Sequence, residues 1–330
     1  MSGGRLLKPL LLLVKIVFSV GLFVWLLRKF NVHEALLEAR HADPRWLGAA
    51  VGVFVLSNLM GSWLWGRLLK MQDVDISFPR LAAYYFVGLF FNNFLPANIA
   101  GDFARISAAK EHTNRSAAVF SATVMDRLLG SLAVAALGLA GAVLSWRELH
   151  DPRVVLLVAG LFTLSLLMYL AIFRRGALAW IEWPFRALGL RRMEEGIAHL
   201  MDELHAYEGR GAELLRLLLF GVLIQVTRVS MHVCVARGLG LTVPASAIFV
   251  LVPILASIVM LPISLNGIGI REGAAVVLFR PVGLSGGQAF SFQFLTWVLS
   301  VLVSLVGGLL FILRAPLRAA AKLERSPESS

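Results

Sequence analysis

Two short stretches place acids and bases inside an otherwise apolar chain. The first is Asn93-Phe94-Leu95-Pro96-Ala97-Asn98-Ile99-Ala100-Gly101-Asp102-Phe103-Ala104-Arg105, directly after the apolar run 81–91. Pro, Gly and Asn break that run, and a carboxylate and a guanidinium follow. The second is Leu261-Pro262-Ile263-Ser264-Leu265-Asn266-Gly267-Ile268-Gly269-Ile270-Arg271-Glu272, in the other half of the chain. If a helix restarts at Gly101, Asp102 and Arg105 share one face of it. Free N–H groups at such a restart, together with Arg105, would make an anion site. Gly267 and Gly269 before Arg271-Glu272 repeat the design: glycine permits close backbone approach, and a helix then begins with its positive end inside. The plainer alternative is that both breaks are packing kinks closed by local ion pairs.

Three further positions have the same character. Arg228 lies deep in the apolar run 213–236, and Gln225, Arg228 and His232 follow i, i+3, i+7 spacing, which is one polar stripe on a helix. A lone charge at mid-bilayer costs at least ~3 kcal/mol, so Arg228 needs either a carboxylate that fixes helix packing or an anionic ligand. A lone His232 fits a satisfied bundle residue better than a proton carrier. Asp126-Arg127 opens the run 117–145. A helix of that length spans ~43 Å at 1.5 Å per residue, longer than a ~30 Å hydrocarbon core. The pair is an interfacial anchor if the embedded part begins at Leu128, and a buried pair if the whole run is embedded. Asn58, Ser131/Ala135 and Gly138/Ala142 read as helix–helix contacts.

The elements that must hold these groups are membrane helices. The chain is 58% hydrophobic and 15% charged, with mean hydropathy +0.78, whereas soluble domains carry about 25% charged residues. That leaves little room for a soluble catalytic domain. The net charge of +11 does not point to nucleic acid, because the basic residues lie between apolar spans, where they set orientation and meet anionic lipid. Cys234 is the single cysteine, which excludes an intrachain disulfide and argues against a thiolate metal site. The seven histidines are scattered, with no His-Glu-x-x-His, and no phosphate-binding P-loop occurs, so neither a metal nor another cofactor is implied. The N-terminal run 9–27 resembles a signal peptide, but it lacks a small-x-small cleavage site before Arg28 and contains Lys15; it reads as an uncleaved first span.

Candidate spans are 9–27, 46–66, 81–97, 117–145, 154–173, 213–236, 245–261 and 287–313, with a half-apolar, Gly-rich stretch over 262–286. If 81–97 crosses fully and 245–286 supplies one crossing, the Lys and Arg bias is backwards, with 12 inside and 15 outside. If both broken segments are instead re-entrant hairpins, the first dipping in from the inside and the second from the outside, 19 fall inside and 8 outside, in agreement with the positive-inside rule. The expected fold is therefore an all-α polytopic membrane protein with about six full crossings, two opposed re-entrant hairpins and both termini cytoplasmic. Opposed hairpins suggest inverted pseudo-symmetry, although no internal sequence repeat accompanies it. Residues 1–315 read as one transmembrane domain and 316–330 as a disordered tail. Within the domain, 178–212 sets Trp180, Trp183 and Phe185 beside Arg186, Arg191 and Arg192, which is interfacial chemistry.

Three motifs in order carry a family resemblance. They are Asn93…Leu95-Pro96…Gly101-Asp102…Arg105, then Asp126-Arg127-Leu128-Leu129-Gly130, then Pro262-Ile263-Ser264…Gly267-Ile268-Gly269-Ile270-Arg271-Glu272. Over roughly 10–315 the chain resembles the flippase-like membrane proteins related to the transmembrane region of lysylphosphatidylglycerol synthase. It departs from their pattern where Ala97 and Ala100 replace glycines. No aminoacyl-transferase domain follows residue 315, so the resemblance implies the translocase half and not the synthase.

The expected function is a lipid flippase of the cell (inner) membrane that moves a phospholipid or other lipid-linked amphiphile between leaflets. The candidate substrate-binding residues are Asn93, Pro96, Gly101, Asp102, Arg105, Asp126, Arg127, Arg228, Asn266, Gly267, Gly269, Arg271 and Glu272. The partner is a membrane lipid with an anionic headgroup; a homo-oligomer or a partner membrane enzyme is also compatible. Two rival classes are an accessory scaffold for a lipid-modifying or envelope-building system and an intramembrane transferase acting on lipid. The first gives the buried charges no purpose, and for the second no nucleophile or metal cluster is evident.

Overall fold

A computed structural model describes residues 40–94, 100–110, 113, 115–144, 152–172, 196, 200–260, 267 and 269–324. The run 9–27, most of 178–212, Pro96, Asn266 and the last six residues lie outside them. The fold is all-α, with no strand among the described residues. The helices are α1 (Pro44–Lys70), α2 (Phe78–Phe94), α3 (Ala100–Lys110), α4 (Ser116–Leu144), α5 (Pro152–Ile172), α6 (Gly211–Gly238), α7 (Ala245–Met260), α8 (Ile270–Leu278) and α9 (Gly286–Glu324), with a short 3-10 turn at Arg280–Val282.

Among the described residues, α1, α4, α6 and α9 each contain a stretch long and apolar enough to cross a membrane, and α5 and α7 carry shorter apolar stretches. Their start signals are local. Asp43 caps α1, its side chain accepting from the Arg45 N–H at 2.9 Å, and Pro44 occupies the first helical position. α9 continues as helix to Glu324, into the stretch expected to be a disordered tail. Its sequence there, Leu317-Arg318-Ala319-Ala320-Ala321-Lys322-Leu323-Glu324, is rich in the strongest helix formers.

Both broken segments form helix–break–helix hairpins. α3 folds back along α2, and α8 folds back along α7. The first turnback is tight: a Cβ on Gly101 would lie 2.1 Å from the Gly88 carbonyl oxygen, so only glycine fits at that crossing. Hairpin α2–α3 then packs on α9, where a Cβ on Gly307 would lie 1.9 Å from the Phe86 carbonyl oxygen. Hairpin α7–α8 packs on α4, with Gly141 against the Phe249 carbonyl and Gly138 against Pro253.

These contacts have a two-fold pattern. Exchanging α1 with α6, α2 with α7, α3 with α8 and α4 with α9 maps the helix contacts among these eight elements onto themselves. α1 packs on α6; α2 packs on α9 as α7 packs on α4. α5 stands outside the repeat, against α4. The exchange describes contact partners, and it is the pattern that two equivalent halves would make.

Two apolar cores flank a polar middle. One gathers Leu64–Leu69 of α1, Ala118–Leu129 of α4, Met201–Tyr207 and Leu214–Ile224. The other gathers Ala50 and Phe54 of α1, Leu137 of α4, Val229–Ala236 and much of α7 and α9. Along α1 the gap between cores falls at Asn58 and Gly61, and along α6 it falls at Gln225 and Arg228. Both positions lie near the middle of their helices. Burying each end against apolar neighbours leaves the polar side chains of the middle to face one another.

Candidate functional site

The polar middle holds two cavities. The first encloses about 290 Å³ and is lined by Asn58 of α1, Tyr85 and Asn92 of α2, Gly101, Asp102 and Arg105 of α3, Asp126, Arg127 and Ser131 of α4, and Gln225 and Arg228 of α6. The second encloses about 220 Å³ and is lined by Gln225, Arg228 and His232 of α6, Val259 of α7, Arg271 of α8, and Gln293, Thr296 and Trp297 of α9. Phe54, Val134, Gln225, Arg228 and Ala256 line both, so the cavities adjoin at Arg228.

The first cavity is built around an ion-pair chain. The Arg105 Nη2 donates to Asp126 Oδ2 at 2.8 Å, and its Nε donates to Asp102 Oδ1 at 3.0 Å. Arg127 donates to the other Asp102 oxygen, also at 2.8 Å. The Arg105 guanidinium lies 4.9 Å from the Trp65 ring and 5.4 Å from the Tyr85 ring. Carboxylates in the guanidinium plane and aromatic faces against it satisfy both electrostatic preferences of arginine. Trp65 is itself held by an indole N–H bond to Thr123 Oγ1 at 3.1 Å. Asp126 sits ten residues into α4, ~15 Å from its start, and pairs with Arg105 of α3.

The second hairpin makes a smaller version. Arg271 donates through Nε and Nη2 to Glu272 Oε1 at 3.1 and 2.8 Å, while Glu272 Oε2 accepts from the Gly269 N–H at 2.8 Å. Glu272 is fully buried. Arg271 lies over the Trp297 ring at 5.5 Å. Gly267 and Gly269 hold positive φ, 73° and 81°, which only glycine adopts without strain.

The helix restarts differ from expectation. The Gly101 N–H donates to Asn92 Oδ1 at 2.9 Å, and the Gly269 N–H is taken by Glu272. Neither is free for an anion, because a nearby side chain costs less to order than an external ligand. Arg105 and Arg271 are likewise paired with carboxylates. Arg228 is different. Its guanidinium meets Gln225 Oε1 at 3.4 Å, and it forms no ion pair with any described carboxylate. His232 Nδ1 lies 3.4 Å from the Arg228 carbonyl oxygen and faces the second cavity.

Of the residues singled out from sequence, Gly101, Asp102, Arg105, Asp126, Arg127, Arg228 and Arg271 line these cavities, and Glu272 supports Arg271. Gly267 and Gly269 belong to the turn before α8. Asn93 sits at the end of α2, outside both linings. Pro96 and Asn266 lie outside the described residues. Sequence reasoning missed Tyr85, Asn92, Gln293, Thr296 and Trp297, and it treated Asn58 as a helix contact although it lines the first cavity. Their signal was weak but present: Asn92, Gln293 and Thr296 are polar residues in runs of otherwise membrane-grade hydropathy.

Guanidiniums and carboxylates around two adjoining cavities, held by two hairpins in a bundle of apolar helices, define a multi-pass membrane protein with a charged site. Residues 12–314 match the family model of the lysylphosphatidylglycerol synthase TM region, and the chain belongs to that family. It is similar to UPF0104 membrane protein PH1989 of Pyrococcus horikoshii, 22% identical over 321 residues, covering 90% of this chain and 95% of the relative. It is also similar to a UPF0104 membrane protein of Methanothermobacter thermautotrophicus, 22% identical over 319 residues and 89% of each chain. No solved structure matches.

Proposed function

We propose that this protein is a lipid translocase, moving a phospholipid or another lipid-linked amphiphile between leaflets of the cell membrane. The observation that carries the reading is Arg228: a cation near the middle of α6, with no carboxylate partner among the described residues, where two cavities adjoin. An unpaired mid-span charge is costly unless a ligand or water meets it. Among the described residues, four guanidiniums (Arg105, Arg127, Arg228 and Arg271) face three carboxylates (Asp102, Asp126 and Glu272), a formal excess of one positive charge. A phosphodiester headgroup carries one negative charge and would neutralise it.

In this reading α2–α3 and α7–α8 are re-entrant from opposite faces, and both termini are cytoplasmic. One transmembrane unit spans residues 1–315. Acyl chains stay in the bilayer while the headgroup passes from one cavity to the other across Arg228. Asp102, Asp126 and Glu272 keep the other guanidiniums paired and positioned while the headgroup is absent. The two-fold packing gives the hairpins equivalent seats, so rocking of one and then the other would open the cavities in turn.

The test is purified protein in liposomes with a leaflet-resolved lipid assay. A hydrogen bond to a charged group is worth about 1.5–3 kcal/mol, so Arg228→Ala is expected to slow transbilayer movement by roughly ten- to a hundredfold. Arg228→Lys should retain part of the rate. Movement at the unaltered rate in Arg228→Ala would defeat the assignment.

A further inference from the structure

α9 brings to the second cavity a buried polar atom that the described protein leaves unsatisfied. Gln293 is 3% exposed, and its side-chain Oε1 has no hydrogen-bond partner. It lines the cavity with Arg228, His232, Arg271 and Thr296. None of the neighbouring donors reaches this oxygen. The Thr296 hydroxyl donates to the Phe292 carbonyl at 2.8 Å, and Arg271 gives Nε and Nη2 to Glu272. A buried acceptor left without a donor carries its full desolvation penalty. Such a group in a low-dielectric cavity is either filled by water or matched by a ligand that brings its own donor.

The cavity thus offers two complementary demands side by side: an anion for Arg228 and an N–H or O–H for Gln293. We infer that Gln293 is a specificity-determining residue, accepting a hydrogen bond from a hydroxyl or ammonium on the headgroup substituent while the phosphate meets Arg228. This rests on the lipid-translocase reading. A phosphodiester whose substituent is only an alkyl group satisfies Arg228 and leaves Gln293 orphaned. Sites built to hydrogen-bond a substrate group discriminate strongly against analogues that lack it, because the site's own polar atom is then left buried and unpaired.

The test compares phosphatidylglycerol, which carries headgroup hydroxyls, with phosphatidylmethanol, which has the same charge and no donor. The full-length protein is used, with equilibrium lipid binding by competition in native mass spectrometry and transbilayer movement in liposomes. The unaltered protein is expected to bind phosphatidylglycerol at least tenfold more tightly. Gln293→Met should remove the preference by weakening phosphatidylglycerol alone. Its melting temperature should be unchanged or higher, because an orphan acceptor is gone; Gln293→Leu is the second variant if the first folds poorly. Equal binding of the two lipids by the unaltered protein overturns the inference, and so does equal weakening of both by the substitution. Discrimination in binding without lipid movement would sink the translocase reading and leave Gln293 standing. Movement without discrimination would do the reverse, and neither would overturn both. Glycerophosphoglycerol, the same headgroup without acyl chains, is expected to compete at least tenfold more weakly. Equal competition would assign the site to a soluble phosphodiester and overturn the lipid part.

Discussion

Gly101→Ala tests how the first hairpin holds its charges. The added Cβ would lie 2.1 Å from the Gly88 carbonyl oxygen and 2.6 Å from the Asn92 amide. Asn92 can rotate, but the Gly88 oxygen is backbone within α2 and cannot. Ordinary contact begins at 3.4 Å, so α3 must part from α2 by at least about 1.3 Å. That movement breaks the Gly101 N–H bond to Asn92, worth about 1 kcal/mol, and overpacking of this kind costs typically 1–3 kcal/mol. Alanine returns up to about 1 kcal/mol through helix propensity. The net expectation is about 2 kcal/mol of destabilisation, roughly a thirtyfold shift in the folded ratio. Thermal unfolding in detergent, followed by tryptophan fluorescence, reads it. Gly52→Ala is the control, because its Cβ would meet nothing within 4 Å; it should be neutral or slightly stabilising. Lipid movement should also fall in Gly101→Ala, since α3 carries Asp102 and Arg105. If the two variants melt together, the tight crossing of α3 on α2 is not what fixes the hairpin.

The hairpin seats predict an order of severity. A Cβ on Gly307 would reach 1.9 Å from the Phe86 carbonyl oxygen, whereas one on Gly141 would stop 2.9 Å from that of Phe249; Gly307→Ala should therefore destabilise by more than Gly141→Ala, and melting curves of the pair check this. Tyr207 lies just before α6, and its buried hydroxyl donates to the Leu68 carbonyl at 3.1 Å. Burial, the largest cause, pushes this phenol above its ordinary value, so the neutral form favours the fold. Its contribution is complete below pH about 10 and is lost as pH climbs through the raised folded value. Tyr207→Phe should cost about 1 kcal/mol near neutrality and flatten the alkaline fall in stability, measured by unfolding across pH 7–11.

The broad architecture was legible because its signals are local. Runs of about twenty apolar residues declare spans wherever they occur, and Gly267 and Gly269 turn the chain before α8 through a backbone conformation open to glycine. The Lys and Arg distribution follows the positive-inside rule only if both broken segments are hairpins. The same local logic placed Asp102 beside Arg105 and Arg271 beside Glu272, three residues and one residue apart.

What the chain alone determined, then, is that it is a multi-span membrane protein with two broken helices and costly charges near them. Only the tertiary structure decided which charges meet. Asp126 completes the Arg105 chain from another helix, and Arg228 sits where both cavities adjoin with no carboxylate partner among the described residues. Gln293 in α9 joins it across more than sixty residues of sequence. These pairings depend on how closely the helices pack at Gly88, Gly101 and Gly307. Such interlocking is a property of surfaces brought together, and hydropathy along one strand of sequence carries no record of it.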